Sequence, residues 1–558
     1  LFVKDTVEGD VVTVKVMKTK KQYGYARLLE IVKPSSHRVT PECSVAKQCG
    51  GCQIQHVSYE KQLEFKEKKV IDCFSRIGGF KKIVRVGSSE DGIIYSDEVD
   101  RANESDFVLC EPVVGMKTPY YYRNKAQFPV GRNKEGEIVA GFYAGRTHSI
   151  VDCDSCKIGI KMNEQILKTV KDFMKEFGIP PYDEASHTGL VRHVLTRVGF
   201  VTGEVMVCLI LNGTKLPHAD ILVERLLTIE EEVTETFERL KIAKRRKVVS
   251  VCINVNTKKT NVILGDQIIP LYQNPYITDY IGNIKYQISP LSFYQVNPEQ
   301  TKKIYELALD YAGLTGNEIV WDLYCGIGTI SLFLAQKAKK VLGVEIIPQA
   351  ILDAKKNAEI NGITNAEFFV GAAEEVLPHQ YEKNKVYADV IVVDPPRKGC
   401  EVSLLDTIIE MEPKKVVYVA CDPATLARDT KYLCEHGYRL VKFRAVDQFS
   451  HSAHVETVVL LSQRKADDYV EVELELDELD LTSAESKATY KEIQEYVLKK
   501  HGLKVSNLYI SQVKRKCGID VGENYNLPKS GESKQPQCPV EKEKAIKDAL
   551  EHFGMIRI

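Results

Sequence analysis

The sequence predicts a multidomain α/β protein whose largest domain is a parallel β-sheet with helices on both faces. From about residue 287 to residue 464, apolar strand-like runs alternate with helix-like segments, which is the pattern of repeated βαβ units. Residues 110–285 carry alternating runs such as Val205–Leu211 and Val248–Val255, which predict a second, strand-rich domain. The length of 558 residues also exceeds what a single domain usually contains.

The composition excludes some classes of protein and leaves others open. The formal net charge of −1 argues neither for nor against a nucleic-acid partner, because local charge is what meets phosphate. We find neither a signal peptide nor an apolar run long enough to cross a membrane, and we therefore expect a cytoplasmic protein without a membrane partner. We also expect a monomer. The 15 cysteines at irregular spacings predict reduced thiols, some of them serving metal binding or catalysis.

The N-terminal residues have the pattern of short strands with Lys and Tyr side chains between them. A basic, aromatic β-surface suits RNA backbone and bases, although a solvated strand face is the alternative. Because the chain begins at Leu1 and Val11–Val16 already alternate like a strand, we expect the start of this domain to be truncated. A helix is predicted from Tyr59 to Ile77, with Leu63, Val70, Ile71 and Phe74 sharing one face.

These patterns divide the chain into five segments. They are an N-terminal domain (1–38), a central domain (39–285) with an acidic insertion from Val86 to Phe107, a C-terminal α/β domain (286–464), an acidic linker (465–482) and a helical appendage (483–558). The appendage is basic around Lys514–Lys516, and a helical hairpin is favoured there over a helix-turn-helix.

A glycine-rich turn opens the C-terminal domain. Asp322–Thr329 follows a predicted strand and precedes a predicted helix, so its glycines let the backbone approach a ligand at the helix start. Glu345 ends the next strand, where a carboxylate accepts ribose hydroxyls. The pair Gly326-x-Gly328 lacks the third glycine of a dinucleotide site, which favours S-adenosylmethionine over a dinucleotide.

Two further strand ends carry chemistry-bearing residues. Asp394 closes an apolar strand and is followed by two prolines that stiffen the exit, which places its carboxylate at the edge where ligands bind. Cys421 likewise ends a strand, just before an Asp-Pro turn. A buried structural cysteine is the alternative there. Asp394, the glycine turn and the downstream Glu456 occur in the same domain, and together they indicate that Cys421 is a nucleophile.

A cysteine cluster near the N-terminus has the spacing of a metal-cluster site. Cys43, Cys49 and Cys52 lie on one loop opened by two glycines, and a distant fourth cysteine is available at Cys153 or Cys156. Three thiolates on such a loop can surround a compact cofactor. Zinc and chance thiols are the weaker alternatives.

The chain resembles the RNA (uracil-5-)-methyltransferase family from its N-terminus to about residue 464. The resemblance rests on four motifs: Cys421–Asp429, Asp394–Arg397, Phe293–Asn297 and His454–Glu456. It implies a Rossmann-like class I methyltransferase domain that methylates uridine C5 in RNA, and an N-terminal OB-like TRAM domain. We expect 23S ribosomal RNA as the substrate, with tRNA as the alternative.

The resemblance also implies roles for individual residues. Cys421 is the nucleophile that adds to uracil C6, and Glu456 is the base that removes the C5 proton. The pocket for S-adenosylmethionine and the target base is lined by Gln295, Tyr324, Gly326, Glu345 and Asp394. In the ribosomal-RNA branch, a [4Fe-4S] cluster is implied on Cys43, Cys49, Cys52 and Cys156, with Cys153 as the alternative fourth ligand, and its expected role is folding or RNA positioning.

Some positions depart from the family pattern, and competing functions remain. Asp422 stands where asparagine is usual, and a carboxylate there raises the thiol pKa unless a cation such as Arg428 pairs with it. Ala372 replaces an acid in the loop expected to meet adenine. The aromatic and basic cluster Tyr120–Lys125 is a candidate clamp for RNA around a flipped base. A non-catalytic RNA-binding or assembly factor and an iron-sulfur oxidoreductase are the alternatives from other classes.

Overall fold

The computed structural model describes residues 1–86, 107–145, 147–153, 155–237, 240–464, 490–517, 519, 538–553, 555 and 556. These residues belong to two compact units, 1–468 and 469–558. The acidic insertion expected between Val86 and Phe107 and the acidic linker expected at 465–482 lie outside the described residues.

The described residues form 22 strands. They are β1 (Phe2–Val3), β2 (Val11–Thr19), β3 (Gly24–Lys33), β4 (Ile83–Arg85), β5 (Val108–Val114), β6 (Lys125–Arg132), β7 (Ile138–Tyr143), β8 (Ile150–Asp152), β9 (Val191–Val198), β10 (Glu204–Leu211), β11 (Glu230–Glu232), β12 (Arg245–Val255), β13 (Gln267–Tyr272), β14 (Ile277–Ile281), β15 (Ile284–Ile288), β16 (Ile319–Leu323), β17 (Lys340–Glu345), β18 (Ala366–Val370), β19 (Val390–Val393), β20 (Lys415–Ala420), β21 (Tyr438–Val446) and β22 (Glu456–Gln463).

The same residues form 12 α-helices. They are α1 (Tyr59–Cys73), α2 (Met162–Glu176), α3 (Ala219–Leu227), α4 (Pro298–Ala312), α5 (Thr329–Ala335), α6 (Pro348–Ile360), α7 (Ala373–Glu382), α8 (Val402–Met411), α9 (Pro423–Glu435), α10 (Tyr490–His501), α11 (Asn507–Lys516) and α12 (Val540–His552). A π-helical turn, Phe74–Gly78, continues α1, so that the helix predicted from Tyr59 to Ile77 is confirmed. Within the described ranges, no helix is long and apolar enough to span a bilayer.

The largest sheet has nine strands in the order β18-β17-β16-β19-β20-β22-β21-β5-β4. Strands β16 to β20 run parallel to one another, and β22 lies antiparallel between β20 and β21. The predicted parallel sheet is therefore confirmed. The strand order reverses between β16 and β19, and in such sheets ligands bind at this point, outside the carboxyl ends of the strands.

Both faces of this sheet are buried. All four residues of β19 are buried. Their alternation places Val392 in one apolar cluster and Ile391 and Val393 in the other. Trp321 on β16 belongs to the second cluster and is fully buried. A sheet covered on both faces leaves its strand ends as the place for polar chemistry.

Two strands from the N-terminal half extend the nine-stranded sheet. β5 pairs in parallel with β21, and β4 pairs with β5. The boundary drawn at residue 285 assigns these strands to the central domain, whereas their hydrogen bonds assign them to the C-terminal sheet. Pairing between segments more than 300 residues apart leaves no local pattern from which a boundary can be predicted.

The central sheet has the order β11-β12-β10-β9-β6-β7-β8, with β13 paired to β12. The two alternating runs used for the prediction form β10 and most of β12. Strand β9 is buried along its whole length, and helix α2 covers the core with a buried face that includes Ile166, Val170 and Phe173. This sheet supports one wall of the cysteine loop described below.

The N-terminal residues form a three-stranded sheet in the order β1-β3-β2. Phe2, Tyr23 and Tyr25 make an aromatic group on it, with ring centroids 5.7 Å apart, and all three side chains are exposed. Asp10 accepts backbone N–H groups and pairs with Arg38 at 2.5 Å, which closes the sheet onto the following loop.

The second unit is a small helical body with its own core. Ile493 and Val497 of α10, Ile510 and Val513 of α11 and Ile546 of α12 are fully buried together. The appendage is helical as expected, but its described residues form three helices, so the simple hairpin is wrong. The hairpin was inferred from two helices on either side of Gly502, and the third helix, Val540–His552, was not predicted.

Candidate active site and cysteine cavity

The predicted nucleophile and base lie beside each other at the carboxyl edge of the nine-stranded sheet. Cys421 directly follows β20, and Glu456 begins β22, the antiparallel neighbour of β20. Ala420 pairs with Thr457, so the next position along this ladder brings Cys421 opposite Glu456. Asp394 follows β19, on the other side of β20. The sheet therefore gathers a thiol and two carboxyl groups at its ligand-binding edge.

Burial and negative neighbours keep the thiol protonated. Burial is the largest cause, and together with the charges of Glu456 and Asp394 it raises the pKa of Cys421 to about 11. The Arg397 guanidinium acts in the opposite direction. Because the thiolate is the reactive form, Arg397 is the group at this edge that favours reaction.

The two carboxyl groups also hold protons near neutral pH. Burial, and then the charge of Asp394, raise the pKa of Glu456 to about 8, against the opposing effect of Arg397. Burial raises the pKa of Asp394 to about 7. A carboxylate that binds a proton in this range is a much stronger base than a free glutamate, as proton abstraction from carbon requires.

Asp422 caps the helix that follows the candidate nucleophile. Its carboxylate accepts N–H groups of Ala424 at 2.9 Å and Thr425 at 3.3 Å, at the start of α9. Arg428, the cation named as a candidate partner for Asp422, pairs instead with Asp429 at 2.7 Å. The helix N-terminus, with its partial positive charge, takes the place assigned to the cation.

The glycine turn is built around left-handed backbone. Gly326 and Gly328 have φ angles of +56° and +79°, which glycine adopts without strain. The N–H of Gly326 donates to the Glu345 carboxylate at 3.2 Å, and this bond joins the turn to the end of the second strand. A Cβ on Gly328 would lie 3.2 Å from Ala354 and from Phe368, so close packing also requires glycine there.

The remaining predicted pocket residues lie at the same edge. Tyr324 follows β16 and donates its hydroxyl to Glu374 at 2.8 Å. The neighbouring Asp322 is buried and accepts a hydrogen bond from Ser331, and burial, with a contribution from Asp394, raises the pKa of Asp322 to about 7. The turn, Tyr324 and Asp394 therefore border one polar strip along the strand ends.

Gln295 is held in place by two amides. Its backbone carbonyl accepts from Asn124 Nδ2 at 2.9 Å, and its side-chain Oε1 accepts from Gln448 Nε2 at 3.3 Å. Gln448 belongs to the segment that leads into Glu456, so Gln295 is linked to the candidate base. Its placement agrees with a role in the pocket.

The aromatic cluster at residues 120–125 is mostly internal. Tyr122 is 1% exposed and donates its hydroxyl to the Ser450 carbonyl at 3.3 Å. Tyr120 stacks on His451, with ring centroids 4.5 Å apart. A clamp on RNA requires exposed rings, so Tyr122 cannot serve in one, whereas Tyr121 keeps partial exposure and faces Lys161.

Five cysteines line one cavity of about 350 Å³ between the cysteine loop and the central sheet. They are Cys43, Cys49, Cys52, Cys153 and Cys156. Burial raises the pKa of Cys52 to about 12, and the nearby thiols Cys156, Cys49 and Cys43 add to the effect. The loop and the distant pair of cysteines thus converge, as their spacing predicted.

Two groups beside these thiols favour the thiolate form, against the larger effect of burial. Arg123 lines the cavity and acts to lower the pKa of Cys52, and the Gly51 N–H donates to Cys49 Sγ at 3.3 Å. Cations and N–H donors stabilise clustered thiolates. Among the residues that the structure describes, no group of three or more His, Cys, Asp or Glu side chains is arranged to hold a metal ion.

Sequence reasoning missed three residues at the site. Arg397 acts on both Cys421 and Glu456, and its place within the Asp394 motif was an available signal. Gln448 and Glu374 hold pocket residues through contacts with distant parts of the chain. No local pattern indicates such contacts.

The sheet order, the glycine turn and the acid at the end of the second strand define the class of protein. They are the features of a Rossmann-like class I methyltransferase that uses S-adenosylmethionine.

Known proteins narrow this class to one family. The sequence profile of the tRNA (Uracil-5-)-methyltransferase family matches residues 218–464. An RNA methyltransferase of Bacillus cereus (strain ATCC 10987 / NRS 248) is 49% identical over 463 residues, covering 83% of this chain and 92% of the relative. One of Clostridium tetani (strain Massachusetts / E88) is 46% identical over 462 residues, covering 83% and 91%.

A solved structure shares the fold. The crystal structure of Pyrococcus abyssi tRNA (uracil-54, C5)-methyltransferase in complex with S-adenosyl-L-homocysteine superposes with a TM-score of 0.59 at 26% identity, covering 82% of this chain and 95% of that one. The chain belongs to the RNA (uracil-5-)-methyltransferase family and is an RNA methyltransferase.

Proposed function

We propose that the chain transfers a methyl group from S-adenosylmethionine to C5 of a uridine in RNA, with Cys421 as nucleophile and Glu456 as base. The observation that carries this proposal is that Cys421 and Glu456 lie beside each other, one residue beyond the last β20–β22 pair, close enough for the Glu456 charge to raise the pKa of Cys421. Bound S-adenosylmethionine supplies the methyl group, and Gln295, Tyr324, Gly326, Glu345 and Asp394 hold it and the target base.

The residues act in sequence on the uracil ring. The Cys421 thiolate forms a bond to C6, and the displaced electron pair makes the ring an enolate that is nucleophilic at C5. C5 takes the methyl group, and the Glu456 carboxylate then removes the C5 proton. The electrons of the C–H bond restore the C5–C6 double bond, and the C6–S bond breaks to return the thiolate.

Arg397 has a place in this scheme that the sequence did not assign. Its guanidinium lowers the pKa of both Cys421 and Glu456, whereas the Asp394 charge raises both. A cation near the thiol favours the attacking form. The exposed Arg397 side chain therefore supports formation of the thiolate as RNA enters.

We infer 23S ribosomal RNA as the substrate, because the cysteine pattern resembles the ribosomal-RNA branch of the family. Exposed Lys and Tyr side chains on β2 and β3 support RNA binding by an N-terminal OB-like domain. The second candidate is a tRNA uridine, which is favoured by the Pyrococcus abyssi tRNA (uracil-54, C5)-methyltransferase.

The cysteine cavity is proposed to hold a [4Fe-4S] cluster on Cys43, Cys49, Cys52 and Cys156. In such a cluster each thiolate binds a different iron, so the sulfurs stand further apart than around one ion. Cys153 lines the same cavity and is the alternative fourth ligand. Iron and sulfide analysis of anaerobically purified Cys156→Ser and Cys153→Ser proteins separates the two, since only the true ligand lowers the iron content.

The activity is tested with Cys421→Ala. This variant should lose methyl transfer to RNA and keep its affinity for S-adenosylmethionine, because the thiol is assigned to the base. The matched control is Cys434→Ala, which removes a half-buried thiol from the next helix. Mapping 5-methyluridine in RNA from cells with and without the gene identifies the substrate, and equal methylation by both variants contradicts the proposal.

A further inference from the structure

The segment Asp447–His454 connects β21 to Glu456 and is buried for most of its length. Helix α1 holds this segment although the two are nearly 400 residues apart in sequence. The buried face of α1 carries Gln62 and Lys66 together with the apolar Val70. Two polar side chains on a buried face require partners, and both find them in this segment.

Gln62 is the central contact. Its Oε1 accepts the backbone N–H of His451 at 2.9 Å, and its Nε2 lies 3.2 Å from His451 Nδ1. The same Nε2 donates to the Val57 carbonyl at 2.8 Å. With 1% of its surface exposed, Gln62 makes all these bonds away from water, where each is hard to replace.

His451 is in a strained conformation that needs such contacts. Its φ angle is +62°, in the left-handed region that costs a non-glycine residue about 1–3 kcal/mol. Its ring is stacked on Tyr120, and its carbonyl accepts the N–H groups of Gln53 and Ile54 at 2.9 and 3.1 Å. Gln62 fixes the opposite side of the same residue.

Neighbouring contacts secure the rest of the segment. Lys66 is paired with Asp447 in a fully buried ion pair and donates to the Phe449 carbonyl at 2.9 Å. Lys69 donates to the Ala453 carbonyl at 2.9 Å. The ends of the segment are therefore anchored independently, and at its centre Gln62 is the side chain that accepts the backbone N–H of His451.

We propose that Gln62 is a positioning residue, which holds the left-handed bend at His451 and thereby fixes the place of the Glu456 carboxylate beside the reacting base. This inference rests on the proposed role of Glu456. Cys421 reaches the site from the end of β20 and the start of α9, whereas the hydrogen bonds of Gln62 go to Val57 and His451. Loss of Gln62 should therefore slow proton removal and leave formation of the covalent adduct unchanged.

The test uses the full-length protein with two variants and one matched control. Gln62→Ala removes the amide, and Gln62→Met removes the hydrogen bonds while keeping most of the volume. The control Asn254→Ala removes an equally buried amide that donates to the Gly265 carbonyl at 2.8 Å and accepts its N–H at 2.7 Å, in the central sheet.

Both Gln62 variants should lower kcat by about 10- to 100-fold, the loss expected for a misplacement of about 1 Å, while KM for S-adenosylmethionine stays constant. With ordinary RNA they should accumulate the covalent protein–RNA complex, and with 5-fluorouridine RNA they should form the adduct at the wild-type rate. Asn254→Ala should show neither change.

The outcomes separate this inference from the proposed function. Wild-type kcat in both Gln62 variants, an equal slowing of adduct formation and release, or the same kcat loss in Asn254→Ala overturns the positioning role. Failure of the wild-type protein to form an adduct with 5-fluorouridine RNA overturns the proposed function itself.

Discussion

The substitution Glu456→Gln tests the base most sharply, because an amide keeps the shape of the side chain and cannot accept the C5 proton. Burial and Asp394 raise the pKa of Glu456 from 4.5 to about 8. That difference corresponds to about 5 kcal/mol of added proton affinity. A base made this strong by its surroundings should contribute at the upper end of the usual range, about 10³- to 10⁴-fold in turnover.

The assay follows RNA and protein together in a single turnover. Methyl transfer to RNA should proceed in Glu456→Gln, and the covalent protein–RNA complex should then persist because the C5 proton stays on the ring. Denaturing gels resolve this complex from free protein. Turnover at the wild-type rate without a trapped complex would refute the assignment of the base.

The pH dependence of RNA release from the covalent complex provides a second test of Glu456. The ionised form of Glu456 is required, and its pKa is about 8. Release by the wild-type protein should therefore rise about tenfold per pH unit below pH 8 and level off above it. In Glu456→Gln this dependence should disappear.

Three other substitutions have expected outcomes. The pKa of Asp394 is raised to about 7, so the stability that its protonated form contributes is lost as the pH rises from 4 through 7. In urea titrations at pH 8, the free energy of unfolding of Asp394→Asn should exceed that of the wild type by about 1–4 kcal/mol, and at pH 4 the two should be equal. Lys66→Met should cost about 3–5 kcal/mol in urea unfolding by leaving Asp447 buried without its cation. The control Lys61→Met, which removes a half-buried lysine paired with the exposed Glu8 and Glu64, should cost about 0–1 kcal/mol. Gly328→Ala should weaken S-adenosylmethionine binding at least about tenfold by calorimetry, because φ is +79° at this position and the added Cβ would lie 3.2 Å from Ala354. The control is Gly316→Ala, at φ +100° with open space around the added Cβ.

Patterns within one element were predictable from the sequence. Strand-end positions identified Cys421, Asp394 and Glu345, because apolar runs that stop at a polar residue define the edge of a parallel sheet. The glycines of the first turn were equally visible. These features depend on residues that are neighbours in the chain.

Contacts between distant segments were not predictable. Helix α1 was expected to bury Leu63 and Ile71 with its apolar residues, yet Gln62 and Lys66 are the buried positions beside Val70. Their partners lie more than 380 residues away, so no local pattern indicates them. The partner of Asp422 is a different case, because an Asp followed by Pro423 is a local helix-cap pattern whose N–H donors, Ala424 and Thr425, are near neighbours in the chain.

The identity of the residue that bonds to RNA is the central claim. Wild-type protein incubated with S-adenosylmethionine and 5-fluorouridine RNA should form a stable adduct, because fluorine at C5 cannot leave as a proton does. Digestion and mass spectrometry should place the nucleotide on the peptide that contains Cys421, and Cys421→Ala should form no adduct. An adduct on another cysteine, or an undiminished adduct in Cys421→Ala, would contradict the account.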